Sequence, residues 1–378
     1  GALRGRLAGG RFRIDAPGSI AGRTEVRDPW TGPEPLRATT ERLSRQLDPE
    51  QGELWRAAWF PGRSGEAGRL LLIVHHIAVD GVSWRILGDD LRHAWELETG
   101  ATAEPLEPTG TGVTTWAEAL ARRAADDDIA AQRVYWASAA EAGPALAGRE
   151  LDPAHDTYAT AGEIPIEIPA EITTSLLVDL PRLLTAGVDD VLLGALTSAV
   201  GAWAAARGSA RRAVRVGLEG HGREEPLIPG ADLTRTVGWF TSWYPVVLST
   251  DDVDPVAAVD DPRAGAGAVL RVKEHLARVP GQGLGYGLLR HLAPDGEALA
   301  TGVDVGFNYL GRFTAAPQEE QPWETAGDAA GIGGHVAPEF PLPAVVDVNV
   351  EAVDTGDGPV LRGSITYAST LLPAAEAA

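Results

Sequence analysis

The stretch Leu70-Leu71-Leu72-Ile73-Val74-His75-His76-Ile77-Ala78-Val79-Asp80-Gly81-Val82-Ser83-Trp84 runs from an apolar segment straight into two histidines. An Asp-Gly pair follows, giving the spacing His-His-x-x-x-Asp-Gly. The apolar run reads as a buried strand. Its polar end puts an imidazole at the lip of a sheet, where pockets form. Successive strand residues face opposite sides, so His75 and His76 are expected to diverge, one to chemistry and one to structure. Gly81 permits a tight turn at positive φ. Asp80 is close enough to fix the local geometry through an ion pair. An imidazole held in this way is a ready general base near neutral pH.

Outward from this stretch the chain alternates strand and helix patterns. Phe12–Ile14, Leu54–Phe60 and Leu70–Val74 read as strands, and Leu36–Leu47 has helical spacing. After Ser83, Trp84, Leu87, Leu91 and Trp95 recur at three- and four-residue spacing, which predicts a helix with one buried face. Residues 137–162 are rich in Ala, Gly and acidic side chains with no clear period, and are the expected linker between two lobes. Ile164, Ile166 and Ile168 alternate as a strand, and Thr173 or Thr174 is placed to cap a short helix. Asp189 or Asp190 is expected to cap a longer helix with the stripe Leu192, Leu196, Ala199, Trp203. Val214, Val216 and Leu218 alternate as a strand, with Glu219 on the opposite face. Two apolar runs flank Asp354-Thr355-Gly356-Asp357-Gly358, a hairpin signal. The fold class is therefore α/β or α+β in two lobes.

Composition narrows the function classes. Over 378 residues, 44% are hydrophobic and 22% charged, ordinary for a globular chain. The net charge of −21 makes nucleic acid and anionic membranes poor partners. No apolar stretch reaches the roughly 20 residues of a membrane span. Arg4, Arg6, Arg11 and Arg13 interrupt any signal-peptide core. Cysteine is absent, so there is no disulfide, thiolate nucleophile or Cys-bound metal. A cytoplasmic location fits these features.

A second carboxylate stands out in Leu218-Glu219-Gly220-His221-Gly222-Arg223-Glu224. Glycines on a turn leaving a strand let Glu219 project into a cleft, although acidic loop residues are by default solvated. His221, between two glycines, reads as structural. Diverging histidines and the lack of a ligand-spaced pair leave no expected metal site. Pro280-Gly281-Gln282-Gly283-Leu284-Gly285-Tyr286-Gly287 is dense in glycine, but position 286 breaks Gly-x-Gly-x-x-Gly and no Walker lysine follows. A close backbone approach to a ligand or a neighbouring strand is the better reading. Arg235-Thr236-Val237-Gly238-Trp239-Phe240-Thr241-Ser242-Trp243-Tyr244-Pro245 is dense in aromatics. Phe307-Asn308-Tyr309-Leu310-Gly311 ends a strand with polar groups where pocket walls lie.

These stretches together resemble the epimerization domains of nonribosomal peptide synthetases, a branch of the condensation-domain superfamily. The resemblance rests on His75–Leu87, Asp190–Leu196, Glu219–Glu224, Arg235–Pro245, Pro280–Gly287 and Phe307–Gly311, in the family's order. It implies a chloramphenicol acetyltransferase-like fold, two related α/β lobes forming a V with the active site between them. The N-terminal lobe is then 1–150 and the C-terminal lobe 151–378. The family's opening motif and first helix have no counterpart here. Gly1–Arg4 is thus expected to lie well inside the first lobe, and Thr366–Ala378 to stop short of a last helix.

The resemblance also implies a reaction. An L-aminoacyl or peptidyl thioester on the phosphopantetheine arm of a peptidyl carrier protein is inverted at Cα, by removal and return of a proton. His76 and Glu219 map to the proton-transfer pair. Asp80 maps to a structural role with an arginine, and His75 and Gly81 to structure within the motif. Asn308 and Tyr309 map to the pocket, with Arg235 in a weaker supporting role. No metal or other cofactor bound by the domain itself is expected, and neighbouring synthetase domains are implied partners. A condensing enzyme, in which His76 assists an amine nucleophile, is the alternative within the superfamily, and a non-catalytic carrier-docking module is a third. The Glu219 motif and Ser83-Trp84-Arg85 argue against the first alternative, and the intact His76 and Glu219 against the second.

Overall fold

The structure, a computed structural model, describes residues 1–19, 24–63, 66–141, 146–209, 212–299, 302–314, 323, 326 and 336–377. The chain divides into two compact units. The first takes in Gly1–Leu120, His221–Thr241 and Ala316–His335; the second, Ala121–Gly220, Ser242–Ala315 and Val336–Ala378. The boundary expected at 150/151 is not where this division falls. Residues 121–141 group with the second unit, and 142–145 of the expected linker lie outside the described residues. The return of His221–Thr241 to the first unit rests on apolar packing of Leu233 and Phe240 against Trp116 and on polar contacts. Arg223, Gly238 and Phe240 all bond to Asp80 or Ser83, contacts that no composition shift marks.

In the first unit, β1 (Gly5–Ala8) and β2 (Arg11–Ile14) form a hairpin. A separate sheet has the order β3 (Thr24–Val26), β4 (Trp55–Phe60), β5 (Arg69–Val74), with β3 parallel and β5 antiparallel to β4. Helix α1 (Pro33–Ser44) buries Leu36 and Leu43 against Ala58 and Phe60 of β4. Each such side chain removed from water stabilises by roughly 1.5–3 kcal/mol. Helix α2 (Gly81–Thr99) follows the histidine strand where the spacing predicts a helix, but its expected face is not buried: Leu87 is, whereas Trp84, Leu91 and Trp95 are exposed. Gly100 ends the helix in the left-handed region.

The second unit is built on a six-stranded sheet of β6 (Ala161–Ile168), β7 (Ala213–Gly220), β8 (Ser242–Ser249), β9 (Val305–Thr314), β10 (Val346–Thr355) and β11 (Gly358–Ala368). Its order is β6-β11-β10-β9-β7-β8. The expected hairpin is β10–β11. β9 runs parallel to both β10 and β7, pairing Leu218 with Phe307. Leu193, Val216, Val246, Leu248, Val305 and Val350 are among the buried residues of its core.

Against the sequence expectation, the helix Val188–Ala206 is long and apolar enough to cross a membrane by length and composition. It packs Leu192 and Leu193 into this sheet's core. Its cap differs from expectation. Gly187 is the N-cap, and Asp190, three residues on, accepts from the Gly187 N–H at 2.8 Å. Likewise Thr173 does not cap its short helix. It is buried inside it, donating to the Ile168 carbonyl and accepting from the Leu361 N–H.

Candidate active site

The strand β5 ends at Val74, one residue before the histidines. His76–Ala78 is a single 3-10 turn, and His75 caps it, its Nδ1 accepting from the Ile77 N–H at 3.2 Å. The two rings therefore separate because one turns back to the backbone, not because strand residues alternate. Burial, with the neighbouring His76 adding to it, holds the His75 imidazole below its ordinary value. A neutral ring is the form that can accept the Ile77 N–H. His76 is exposed, and its ring meets the Trp239 indole at a centroid distance of 4.8 Å.

Asp80 carries more of the site's architecture than its place in a turn suggests. It is 3% exposed and caps α2, accepting from the Ser83 N–H at 2.8 Å. The Phe240 N–H and the Arg223 guanidinium also donate to it. Arg223 is the arginine expected for Asp80. It further donates to the carbonyls of Leu233 and Thr236, at 2.9 and 2.8 Å, and lies over the Phe240 ring. Gly81 departs from expectation. Its φ is not positive, because Asp80 ends the extended segment and Gly81 is already the first helical residue, facing open space.

Arg235 pairs with Asp90 of α2 at 2.6 Å, a tie within the first unit. The predicted residues thus fall into two groups. His75, His76, Asp80, Gly81 and Arg235 lie in the first unit, and Glu219, Asn308 and Tyr309 in the second.

In the second unit, Glu219 stands at the carboxyl end of β7, where ligands commonly bind beside parallel strands. The parallel pairing of β7 with β9 brings Asn308 beside it, and the Asn308 amide donates to Glu219 Oε2 at 3.3 Å. Both border a cavity of about 530 Å³. Leu218 borders it too, so the strand's two faces are not segregated at this end as alternation predicts. Tyr309 lies on the same wall. Burial pushes its phenol up, with the Asp189 charge adding to the effect, so at neutral pH it is a hydrogen-bond donor.

Asp189 and Tyr244 also line this wall; the sequence marks them only as a helix-cap candidate and as part of an aromatic stretch, not as site residues. Asp189 is reachable from the cavity, yet surrounding protein and then Asp190 push its carboxyl up. Gly281 and Gln282 also reach the wall. The chain there holds left-handed φ at Gly281, Gln282 and Gly283, and Gly283 lies so close to Tyr244 that a Cβ would come within 1.9 Å of its ring. The expected close backbone approach is thus to an aromatic side chain. Among the described residues, no group of three His, Cys, Asp or Glu is arranged to hold a metal ion.

Residues 33–368 match the family model of the condensation domain. The chain belongs to the condensation-domain family. It is 37% identical over 320 residues to a linear gramicidin synthase subunit of Brevibacillus parabrevis, covering 83% of this chain and 4% of that relative. It is 32% identical over 278 residues to surfactin synthase subunit 2 of Bacillus subtilis (strain 168), covering 74% of this chain and 7% of that one. This condensation-family chain therefore spans only a small part of those relatives. The crystal structure of the epimerization domain from the third module of tyrocidine synthetase B matches with a TM-score of 0.77 at 25% identity, over 99% of this chain and 82% of that chain. The first condensation domain of the CDA synthetase matches with a TM-score of 0.60 at 19% identity, over 99% and 80%, a likeness of fold. The mixed α/β, chloramphenicol acetyltransferase-like fold class expected from the sequence is the one observed.

Proposed function

We propose that this condensation-family domain epimerises the Cα of an aminoacyl or peptidyl group held as a thioester on a carrier protein in nonribosomal peptide synthesis. The observation that carries the reading is Glu219, a carboxylate oriented by the Asn308 amide on the wall of a cavity. Peptide-bond formation needs no such second acid–base group. The likeness to the tyrocidine synthetase epimerization domain supports the same choice.

The thioester carbonyl acidifies the adjacent Cα–H because the carbanion delocalises as an enolate. Inversion then needs one group to take the proton and another to return a proton to the opposite face. His76 and Glu219 are that pair. Positioned acid–base groups contribute about 10²–10⁴-fold each. Asn308 orients the Glu219 carboxylate. The Tyr309 phenol, kept protonated, is the donor for the enolate oxygen. Asp80 and Arg223 hold the turn that presents His76. The phosphopantetheine arm belongs to the carrier protein, and no step needs a group bound by the domain itself.

The test is direct. A carrier protein loaded with an L-amino acid is incubated with the chain in D₂O, the thioester is cleaved, and the product is analysed by chiral chromatography and mass spectrometry. Deuterium at Cα together with D product is expected. Peptide-bond formation with a second loaded carrier, and no Cα exchange, would replace this reading with condensation. Neither reaction would leave a docking module.

A further inference from the structure

We infer that Trp239 is the positioning residue for His76, fixing the imidazole in its proton-transfer orientation. The inference rests on the reading of His76 as a proton carrier and goes beyond it.

Trp239 is 55% exposed, so burial of its side chain does not hold it in place. Its backbone, by contrast, is clamped on both sides. The Gly238 N–H donates to Ser83 Oγ at 3.1 Å, Ser83 Oγ bonds the Gly238 carbonyl at 2.9 Å, and the Phe240 N–H donates to Asp80 at 3.1 Å. Ser83 and Asp80 begin the helix that follows the histidine turn. The indole is thus anchored to the same piece of chain that carries His76. At position 238 a Cβ would come within 2.8 Å of the Phe240 ring and 2.9 Å of Val113, so the clamp accepts only glycine without displacement.

From this clamp the indole reaches the imidazole at 4.8 Å, inclined by 62°. That is an edge-type aromatic contact with a definite geometry. A histidine acting as a base is usually oriented by a hydrogen bond on its second ring nitrogen. Among the described residues His76 has no hydrogen bond or ion pair to its ring, and Trp239 is its ring partner. His75, one residue earlier, is locked by the Ile77 N–H instead. The two histidines are fixed by different means, one by a hydrogen bond and the other by an edge-type aromatic contact.

The experiment reads activity and geometry separately, on this chain with a loaded carrier. Loss of the contact should lower kcat by about 10–100-fold in Trp239→Ala, the cost of a misplaced reacting group. KM for the carrier should stay within about threefold, as for a group acting mainly in the transition state. Trp239→Phe should restore most of the rate. Independently of turnover, diethyl pyrocarbonate modification is mapped by peptide mass spectrometry. His76 should react several-fold faster in Trp239→Ala and near the wild-type rate in Trp239→Phe, while His75 stays unchanged. Unchanged kcat and unchanged His76 modification in Trp239→Ala, alongside an inactive His76→Ala, would overturn the inference and leave the proposed function standing. Full activity in His76→Ala would overturn the reading of His76 as a proton carrier, and this inference with it, whatever the modification rates show, while epimerization itself would stand.

Discussion

Arg223 donates through one terminal nitrogen to both carboxylate oxygens of Asp80, at 3.1 and 3.3 Å, although 143 residues separate them in sequence. Both side chains are nearly buried, 8% and 3% exposed. The pair ties the His221–Glu224 stretch of the chain to the start of α2, just beyond the histidine turn. Removing one member leaves the other charged and buried. Arg223→Met would also strip the donors from the carbonyls of Leu233 and Thr236. The expected cost is about 3–5 kcal/mol, read from urea unfolding followed by tryptophan fluorescence. Adding Asp80→Asn should cost much less than the sum of the two single changes, because the groups are directly coupled. A loss below about 1 kcal/mol in Arg223→Met would contradict the burial argument.

The Glu219 prediction separates activity from stability. Glu219 is exposed at the cavity wall, so Glu219→Gln should change unfolding free energy by less than about 0.5 kcal/mol. Cα deuterium exchange on the loaded carrier should nonetheless fall by about 10²–10⁴-fold. Asn308→Ala removes a hydrogen bond to a charged group, worth roughly 1.5 kcal/mol or about tenfold in rate. Exchange at the wild-type rate in Glu219→Gln would remove the carboxylate from the mechanism.

The order of motifs along the chain carried the family and fold class, because hydrophobic periodicity and the spacing of His75, His76, Asp80 and Gly81 are local signals. The existence of the strand before the histidines, of α2 and of the β10–β11 hairpin is legible for that reason, but the expected burial is not found: Leu70 of the strand and Trp84, Leu91 and Trp95 of α2 are exposed. What was not legible is what depends on distant partners. One sequence does not say that Asp80 meets Arg223, that Arg235 turns to Asp90, or that Asp189 shares a wall with Tyr309. The structural role expected of His75 stands, but the strand alternation invoked for it and the positive φ expected at Gly81 fail for another cause. Alternation and a positive-φ turn are average rules for strand ends, and here a 3-10 turn capped by the His75 ring intervenes. Caps were mistaken at Asp190 and Thr173 for a related reason, since both side chains bond to backbone from inside their helices.

Two aspartates of the second unit predict opposite responses to pH. Asp156 is buried and accepts a bidentate pair from Arg149 together with the Asp152 N–H and the Thr370 hydroxyl. These hold its carboxyl well below the ordinary value of 3.8. Its contribution is present above that value and is lost as pH falls toward the depressed folded one. Burial instead pushes Asp347 up, against a hydrogen bond from Asn349 that favours the charged form. For Asp347 stability is lost as pH rises from the ordinary value through the raised folded one. The urea midpoint of Asp156→Asn should therefore fall less than wild type between pH 5 and pH 3. Asp347→Asn should be more stable than wild type at pH 7, with the difference closing by pH 3. A constant gap across that range for either variant would mean that its carboxyl does not titrate as stated.

Gly283 links the glycine-dense stretch to the cavity, and its replacement should act on both stability and rate. Its φ of +82° is costly for any residue with a Cβ. An added Cβ would also lie 1.9 Å from the Tyr244 ring, which cannot retreat without moving the cavity wall. Gly283→Ala should thus destabilise by about 1–3 kcal/mol through strain alone. The displaced tyrosine should lower Cα exchange further at temperatures where the variant remains folded. The comparison that decides the cause is the double change Gly283→Ala with Tyr244→Leu. If the ring is the obstacle, truncating it relieves part of the stability loss, and the two effects are less than additive. If the backbone conformation alone is at fault, the loss is unchanged by Tyr244→Leu and the two effects add. Unfolding curves of the four proteins in that cycle distinguish these outcomes.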